Sequence, residues 1–181
     1  NIFICGGTGS GKTTFLNALS NYIPKDERVI TIEDSLEIHY PEINPGADAV
    51  ELRIGQGFTY TDAIKACLRQ NPKWLMLSEA RSIEVTSLIE QWSTGVNGFT
   101  TIHLDDLRKL PDRIQNMMNN VNDADRMENR IYQYVNIGIL IRRMEDPDGH
   151  IRRYIDQLCF FSREDDVNRI YTVVKNGEQA D

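Results

Sequence analysis

Ile2-Phe3-Ile4-Cys5, followed by Gly6-Gly7-Thr8-Gly9-Ser10-Gly11-Lys12-Thr13-Thr14, is the stretch that decides the fold. An apolar run enters a glycine-rich turn, after which Phe15, Leu16, Leu19 and Ile23 recur at helical spacing as far as Pro24. Gly6 to Thr13 satisfies the pattern G-x-x-x-x-G-K-[ST] in full. The glycines allow torsions that turn several backbone N–H groups toward one anion, and the helix starting at Lys12 aims its N-terminus at the same place. In that arrangement Lys12 neutralises β- and γ-phosphate charge, Thr13 offers its hydroxyl to Mg2+, and Thr14 lies beside the α-phosphate. Gly6, Gly7, Thr8, Gly9, Ser10, Gly11, Lys12, Thr13 and Thr14 are therefore the candidate nucleotide-binding residues, with ATP as ligand and Mg2+ as cofactor.

Working outward, the first helix is expected over Lys12 to Tyr22, and Arg28 to Ile32 reads as a buried strand ending at Glu33 and Asp34. His39 to Gly57 reads as loop around a short strand at Ala49 to Ile54. A helix at Tyr60 to Arg69 precedes Trp74 to Ser78, a continuous apolar run suited to a strand covered on both faces. Ser82 is the expected cap of the next helix, and Gly98 to His103 is another strand. Asp106 to Met118 reads as an amphipathic helix, followed by a link rich in Asn and Asp and a short helix at Met127 to Tyr134. Val135 to Arg143 and His150 to Ser162 form a hairpin about Asp146-Pro147-Asp148-Gly149, with a last strand at Arg169 to Val174. The order implies an α/β domain with a mainly parallel sheet followed by helices and a C-terminal β-hairpin. A soft boundary falls before Asp105, after which the helices and hairpin are candidates for a subdomain.

The chain has 181 residues, 40% hydrophobic and 26% charged, enough for one domain with a real core. Its net charge of −7 argues against sequence-independent grip on nucleic acid, and no sequence-specific binding is expected either. Arg142, Arg143, Arg152 and Arg153 are a local basic exception, read as solvated strand residues. Cys5, Cys67 and Cys159 show no metal-ligand spacing and read as buried free thiols. No apolar run approaches the ~18 to 20 residues of a membrane span, and no signal peptide is visible.

A phosphate-binding loop needs carboxylates to hold magnesium-bound water or to polarise an attacking water. Glu79 follows the apolar strand Trp74 to Ser78, with Ser78 where an aspartate usually stands, and Glu33 and Asp34 end the strand before it. Ligands gather at the carboxyl ends of strands in open α/β sheets, so these acids and His103 share the rim of the loop. Glu79 and Glu33, with Lys12, are the catalytic candidates, and Thr13 and Glu79 the metal candidates. Arg69 and Arg81 flank the Glu79 strand, while His39 and His150 carry no functional reading.

Taken in order, GGTGSGKTTFLNAL, RVITIEDSLEI, LRQNPKWLMLSEARS and STGVNGFTTIH resemble the secretion ATPase superfamily, the motors of type II and type IV secretion, conjugation and type IV pilus machines. The likeness spans Asn1 to about Met118 and is closest to the tight-adherence and conjugation branch. It implies a RecA-like core in a homo-hexamer that hydrolyses ATP beneath an inner-membrane platform, cytoplasmic and peripheral to that membrane. Thr31-Ile32-Glu33-Asp34 resembles the family's Asp box, Ser78-Glu79-Ala80-Arg81 its atypical Walker B, and Thr101-Ile102-His103 its His box. The resemblance gives Glu33 and Glu79 roles at water and magnesium, and His103, Asp34 and Arg81 roles in coupling. The family often has Gly where Ser78 and Ser82 stand. It also implies a further domain upstream of Asn1. Two rivals are a P-loop kinase acting on a small acceptor and a nucleotide-sensing module with little turnover.

Overall fold

Strand β1, Ile2–Cys5, lies between two parallel partners, β5 (Asn97–Ile102) and β6 (Ile137–Glu145). In the computed structural model, which describes residues 1–118 and 123–180, β1 is the fifth strand of a nine-stranded sheet. The order is β3-β2-β4-β5-β1-β6-β7-β8-β9, with β2 at Val29–Glu33, β3 at Ala49–Arg53 and β4 at Trp74–Leu77. The first six strands in that order run parallel; β7 (Ile151–Glu164), β8 (Val167–Lys175) and β9 (Glu178–Gln179) follow antiparallel. The α/β class with a mostly parallel sheet and C-terminal antiparallel strands is thus the observed architecture. Residues after Asp105 continue the same sheet, because β6 pairs with β1.

Alternate strand residues feed two apolar layers, as the pleat requires when both faces are covered. Phe3, Cys5, Ile30, Ile32, Leu75 and Leu77 pack on one face. That face is covered by α3 (Tyr60–Cys67), α4 (Glu84–Trp92), α5 (Leu110–Gln115) and α6 (Ala124–Tyr134). Ile4, Val29, Met76 and Phe99 pack on the other, against Leu16 of α1 (Lys12–Ser20) and Tyr40 of α2 (Tyr40–Ile43). All three cysteines are free and buried, and burial raises their thiol pKa values, so they are inert core residues.

Local chemistry moves several expected boundaries. Helix α1 stops at Ser20, not Tyr22, with Asn21 as its cap. The segment expected to be loop contains the short α2, started by Pro41 in its first turn. Ser82 does not cap α4; the Glu84 carboxylate instead accepts from the Arg81 and Ser82 amides at 2.6 and 2.8 Å. The helix expected over Asp106 to Met118 is divided. Asp106 caps a 3₁₀ turn at Leu107–Lys109, and Pro111, which has no N–H to give a continuing helix, sits in the first turn of α5. The Asn/Asp link expected after Met118 falls partly on residues 119–122, outside the described residues.

Gly98 of β5 lies beneath Trp92 of α4, whose ring is edge-on to Phe3 with centroids 5.5 Å apart. A Cβ on Gly98 would stand 2.1 Å from the Leu75 carbonyl oxygen and 2.6 Å from Trp92 Nε1. Backbone cannot yield there without parting β4 from β5. Gly98→Ala is therefore expected to lower unfolding free energy by about 1–3 kcal/mol, the ordinary cost of overpacking, measured as a lower urea midpoint at unchanged slope.

Candidate nucleotide site

The parallel strands place the carboxyl ends of β1, β2, β4 and β5 on one rim. Between that rim and the glycine-rich loop lies a cleft of about 880 Å³. Thr8 to Thr14 line it, facing Asp34, Ser78, Glu79, Arg81 and His103. Gly6 and Gly7 border a second opening on the far side of the loop. A Cβ on Gly6 would meet the Ile141 carbonyl oxygen at 2.5 Å, so the loop rests on the backbone of β6. Gly11 caps α1 with φ 95°, a left-handed torsion, and offers no side chain to the helix's open amides. The first turn of α1 carries no acid, so its positive end is left for an anion.

Lys12 is buried and folds back to donate from Nζ to the Gly7 carbonyl at 3.1 Å. Desolvation lowers its pKa, against the opposing pull of Glu79, Cys5 and Glu37.

Glu79 is held from both sides. Its Oε1 lies 2.8 Å from His103 Nε2, and its Oε2 accepts from Arg81 Nε at 2.9 Å and lies 2.7 Å from Nη2. Arg81 Nη1 then donates to Asp34 Oδ2 at 2.6 Å. The Tyr60 hydroxyl stands 3.2 Å from Asp34 Oδ1 and 3.0 Å from Ser78 Oγ, which closes the chain of contacts. Burial works to raise the Asp34 pKa, but the Ser35 amide and the Arg81 guanidinium outweigh it, leaving the value lowered. The carboxylate of Glu79 thus has a fixed orientation in the cleft. Arg69 is exposed beyond α3 and does not line the cleft.

Glu33 is placed differently from its sequence expectation. Its residue is fully buried and does not line the cleft. Oε2 accepts from the amides of Glu37 and Ile38 at 2.8 and 2.9 Å, while Oε1 has no partner among the described residues. Burial raises its pKa despite the two amide donors. The acid that reaches the cleft from this segment is Glu37, whose Oε2 accepts from Thr13 Oγ1 at 2.9 Å. Asn17 holds the same loop to α1 by donating to the Glu37 carbonyl at 2.8 Å. Sequence reading passed over Glu37 because it lies in an aperiodic loop. The hydroxyl of Thr13 beside the carboxylate of Glu37, with Glu79 across the cleft, is a set of hard oxygen donors of the kind Mg2+ takes. Tyr60 and the hairpin residues Arg153, Tyr154 and Ile155 are further members that sequence reading did not assign to the site.

Residues 1–165 match the family described as Type II/IV secretion system protein. An uncharacterized protein of Bacillus anthracis is 37% identical over 174 residues, covering 91% of this chain and 40% of the relative. The type IV secretion system protein PtlH of Bordetella pertussis is 37% identical over 110 residues, 56% of this chain and 32% of that protein. Among solved structures, the VirB11 ATPase from the Brucella suis type IV secretion system, crystallised with sulphate, aligns with a TM-score of 0.77 at 28% identity, covering 88% of this chain and 47% of that one. The pilus retraction motor PilT with bound ADP shares the fold with a TM-score of 0.77 at 24% identity, over 88% of this chain and 46% of that one. The chain spans less than half the length of each of these relatives.

The burial of Glu33 makes a prediction with a definite sign. Its folded pKa lies above the ordinary 4.5, so the native chain holds this proton more tightly than the unfolded one. Its contribution to stability is complete below the unfolded value and is lost as pH rises through the folded one. Glu33→Gln preserves an acceptor for the two amides and removes the titration. Urea unfolding from pH 4.5 upward is expected to show the stability difference moving steadily in favour of the glutamine variant. A difference independent of pH would show that Glu33 does not titrate across that range.

Proposed function

This chain belongs to the type II/IV secretion system protein family, and from that premise and the cleft we propose that it binds Mg-ATP and hydrolyses it as the motor of a secretion or pilus machine. The observation that carries the reading is the facing pair across one cleft: an uncapped helix N-terminus with Lys12, and the orientated carboxylate of Glu79. The ATP phosphates lie on the loop amides and on Lys12, which concentrates positive potential where charge develops during phosphoryl transfer. Thr13 and the carboxylates of Glu37 and Glu79 would hold Mg2+. When bound, that ion neutralises phosphate charge. Glu79 orients the attacking water and accepts its proton, while Arg81 and His103 keep its carboxylate from rotating away. Glu33 acts at one remove, by fixing the loop that carries Glu37.

Asp34, Arg81 and His103 form the coupling side of the site. Each touches Glu79 or its partner, and His103 and Arg81 are exposed on the rim, where a neighbouring element is able to read them. PtlH and the VirB11 ATPase are type IV secretion system proteins by name, which supports a secretion assignment for this chain. We assign it to a homo-hexameric ring on the inner face of the cell membrane, docked on a membrane platform. No helix among the described residues is long and apolar enough to cross a membrane.

Lys12→Ala is expected to abolish Mg-ATP binding in calorimetry; equal affinity of variant and wild type would refute the site. Glu79→Gln in the full-length protein should retain ATP affinity within about threefold and lose at least about 100-fold in turnover, because a general base contributes on that order to the chemical step. ADP formation that requires an added small acceptor, with the phosphoryl group carried to that acceptor, would instead assign a kinase.

His103→Ala addresses coupling separately. In the assembled full-length ring it should spare nucleotide binding and lower secretion or pilus output more than ATP turnover. Output that stays in proportion to turnover across such variants removes the coupling role.

A further inference from the structure

The hairpin of β6 and β7 extends past the end of β1, whose last pair is Cys5 with Leu140, and so rises beside the glycine-rich loop. Four arginines occupy this overhang, and they divide into two kinds. Arg142 donates from Nε to Asp156 at 2.6 Å, and Arg152 from Nε to Asp146 at 3.2 Å. Arg143 and Arg153 have no acidic partner among the described residues, yet they face each other directly across the two strands. Like charges in that position repel and destabilise a hairpin. Both guanidinium groups are exposed and neither is neutralised within the hairpin, so the pair is available to an external anion.

The location identifies the anion. Arg153 lies along the loop: its Nε donates to the Gly9 carbonyl at 3.4 Å, and a Cβ on Gly11 would meet its Cδ at 3.0 Å. A Cβ on Gly9 would stand 3.9 Å from Arg143 Nη1. The Gly9 contact is long and occupies a single donor of a guanidinium that carries five. Arg153 also lines the main cleft, next to Tyr154, Ile155 and Phe15, which give that end of the cleft an apolar wall.

We propose that Arg153 is a substrate-binding residue that reaches over the loop from β7 and neutralises the nucleotide's polyphosphate from the side opposite Lys12, with Arg143 reinforcing the field from the facing strand. The inference rests on the nucleotide site proposed above. It assigns this chain a phosphate-binding arginine of its own, supplied in cis by the C-terminal hairpin. The hairpin is then held to the loop by the ligand, and nucleotide occupancy is transmitted to β7 and β8.

The test measures ATP and ADP affinities by calorimetry for wild type, Lys12→Ala, Arg153→Ala, Arg153→Lys, Arg143→Ala and Arg152→Ala, with thermal melting of each nucleotide-free protein. Arg153→Ala should weaken both nucleotides about 10-fold, in line with loss of a charge-assisted hydrogen bond. Arg153→Lys should recover part of that loss, and Arg143→Ala should cost about two- to threefold, as a charge acting at longer range. Arg152→Ala, which removes the same charge from the same hairpin but away from the loop, should leave both affinities within about twofold of wild type. Nucleotide-free Arg153→Ala should melt at or above the wild-type temperature, because a like-charge pair is relieved. Wild-type affinity in Arg153→Ala, with Lys12→Ala inactive, overturns the arginine's role and leaves the nucleotide site standing. An equal loss in Arg152→Ala also overturns it, by reducing the effect to net charge. Melting of Arg153→Ala well below wild type with unchanged affinity assigns the residue a structural role instead. Absence of binding in wild type itself defeats both readings.

Discussion

The parallel pairing of β1 with β5 on one side and β6 on the other is the constraint on which the rest of the molecule depends. β1 is buried and central, so its carboxyl end is the one point from which the glycine-rich loop can start. Parallel neighbours end on the same rim. Ser78 and Glu79 after β4, His103 after β5, and Asp34 after β2 all arrive beside the loop without any of them being near it in sequence. Because β6 runs parallel to β1 and continues beyond it, the same pairing also raises the C-terminal hairpin against the loop. A shift of one residue in either register would turn the apolar layers inside out and carry the loop's support on Ile141 away from Gly6.

Electrostatics on this rim are arranged as a continuous series of contacts. His103, Glu79, Arg81, Asp34, Tyr60 and Ser78 connect in series, so the orientation of Glu79 is set by groups on four different elements. Such an arrangement leaves the carboxylate little freedom to reorient. It also ties the Glu79 carboxylate to exposed residues on the rim. Any neighbour that draws Arg81 or His103 away changes the carboxylate, and a change at the carboxylate is felt by those residues. Lys12 and Glu33 show the opposite strategy, each buried with its charge incompletely satisfied, Lys12 toward the cleft and Glu33 beneath it.

Glu33 and Glu37 show how local sequence chemistry and tertiary placement part company. Glu33 ends an apolar strand and has the composition of a catalytic acid at a strand terminus. Its strand lies between β3 and β4, however, and the side chain is enclosed and spends its acceptor on the Glu37 and Ile38 amides. That turn brings Glu37 to Thr13. A four-residue separation in a loop carries no periodic signal, so only the folded geometry distinguishes the enclosed acid from the one that faces the cleft.

What the sequence by itself determined was most of what has a period or a fixed spacing. The glycine-rich octet, the apolar strands, the Asp146-Pro147-Asp148-Gly149 turn and the α/β order all follow from local torsional and hydrophobic rules, and the structure places them as those rules require. The resemblance of the four ordered motifs to secretion ATPases was likewise legible, and the family match extends it to residue 165. Helix ends were less legible because side-chain competitors decided them: Glu84 displaced Ser82 at α4, and Pro111 divided the helix after Asp106. The tertiary structure alone decided the strand order, the burial of Glu33, the exposure of Glu37, and the presence of Arg143 and Arg153 beside the phosphate loop. Those arginines read as solvated strand residues in sequence, since a basic pair in a hairpin has no local property that reveals its neighbour. They are more than 130 residues from Gly9 along the chain, and only the parallel pairing of β6 with β1 brings them to it.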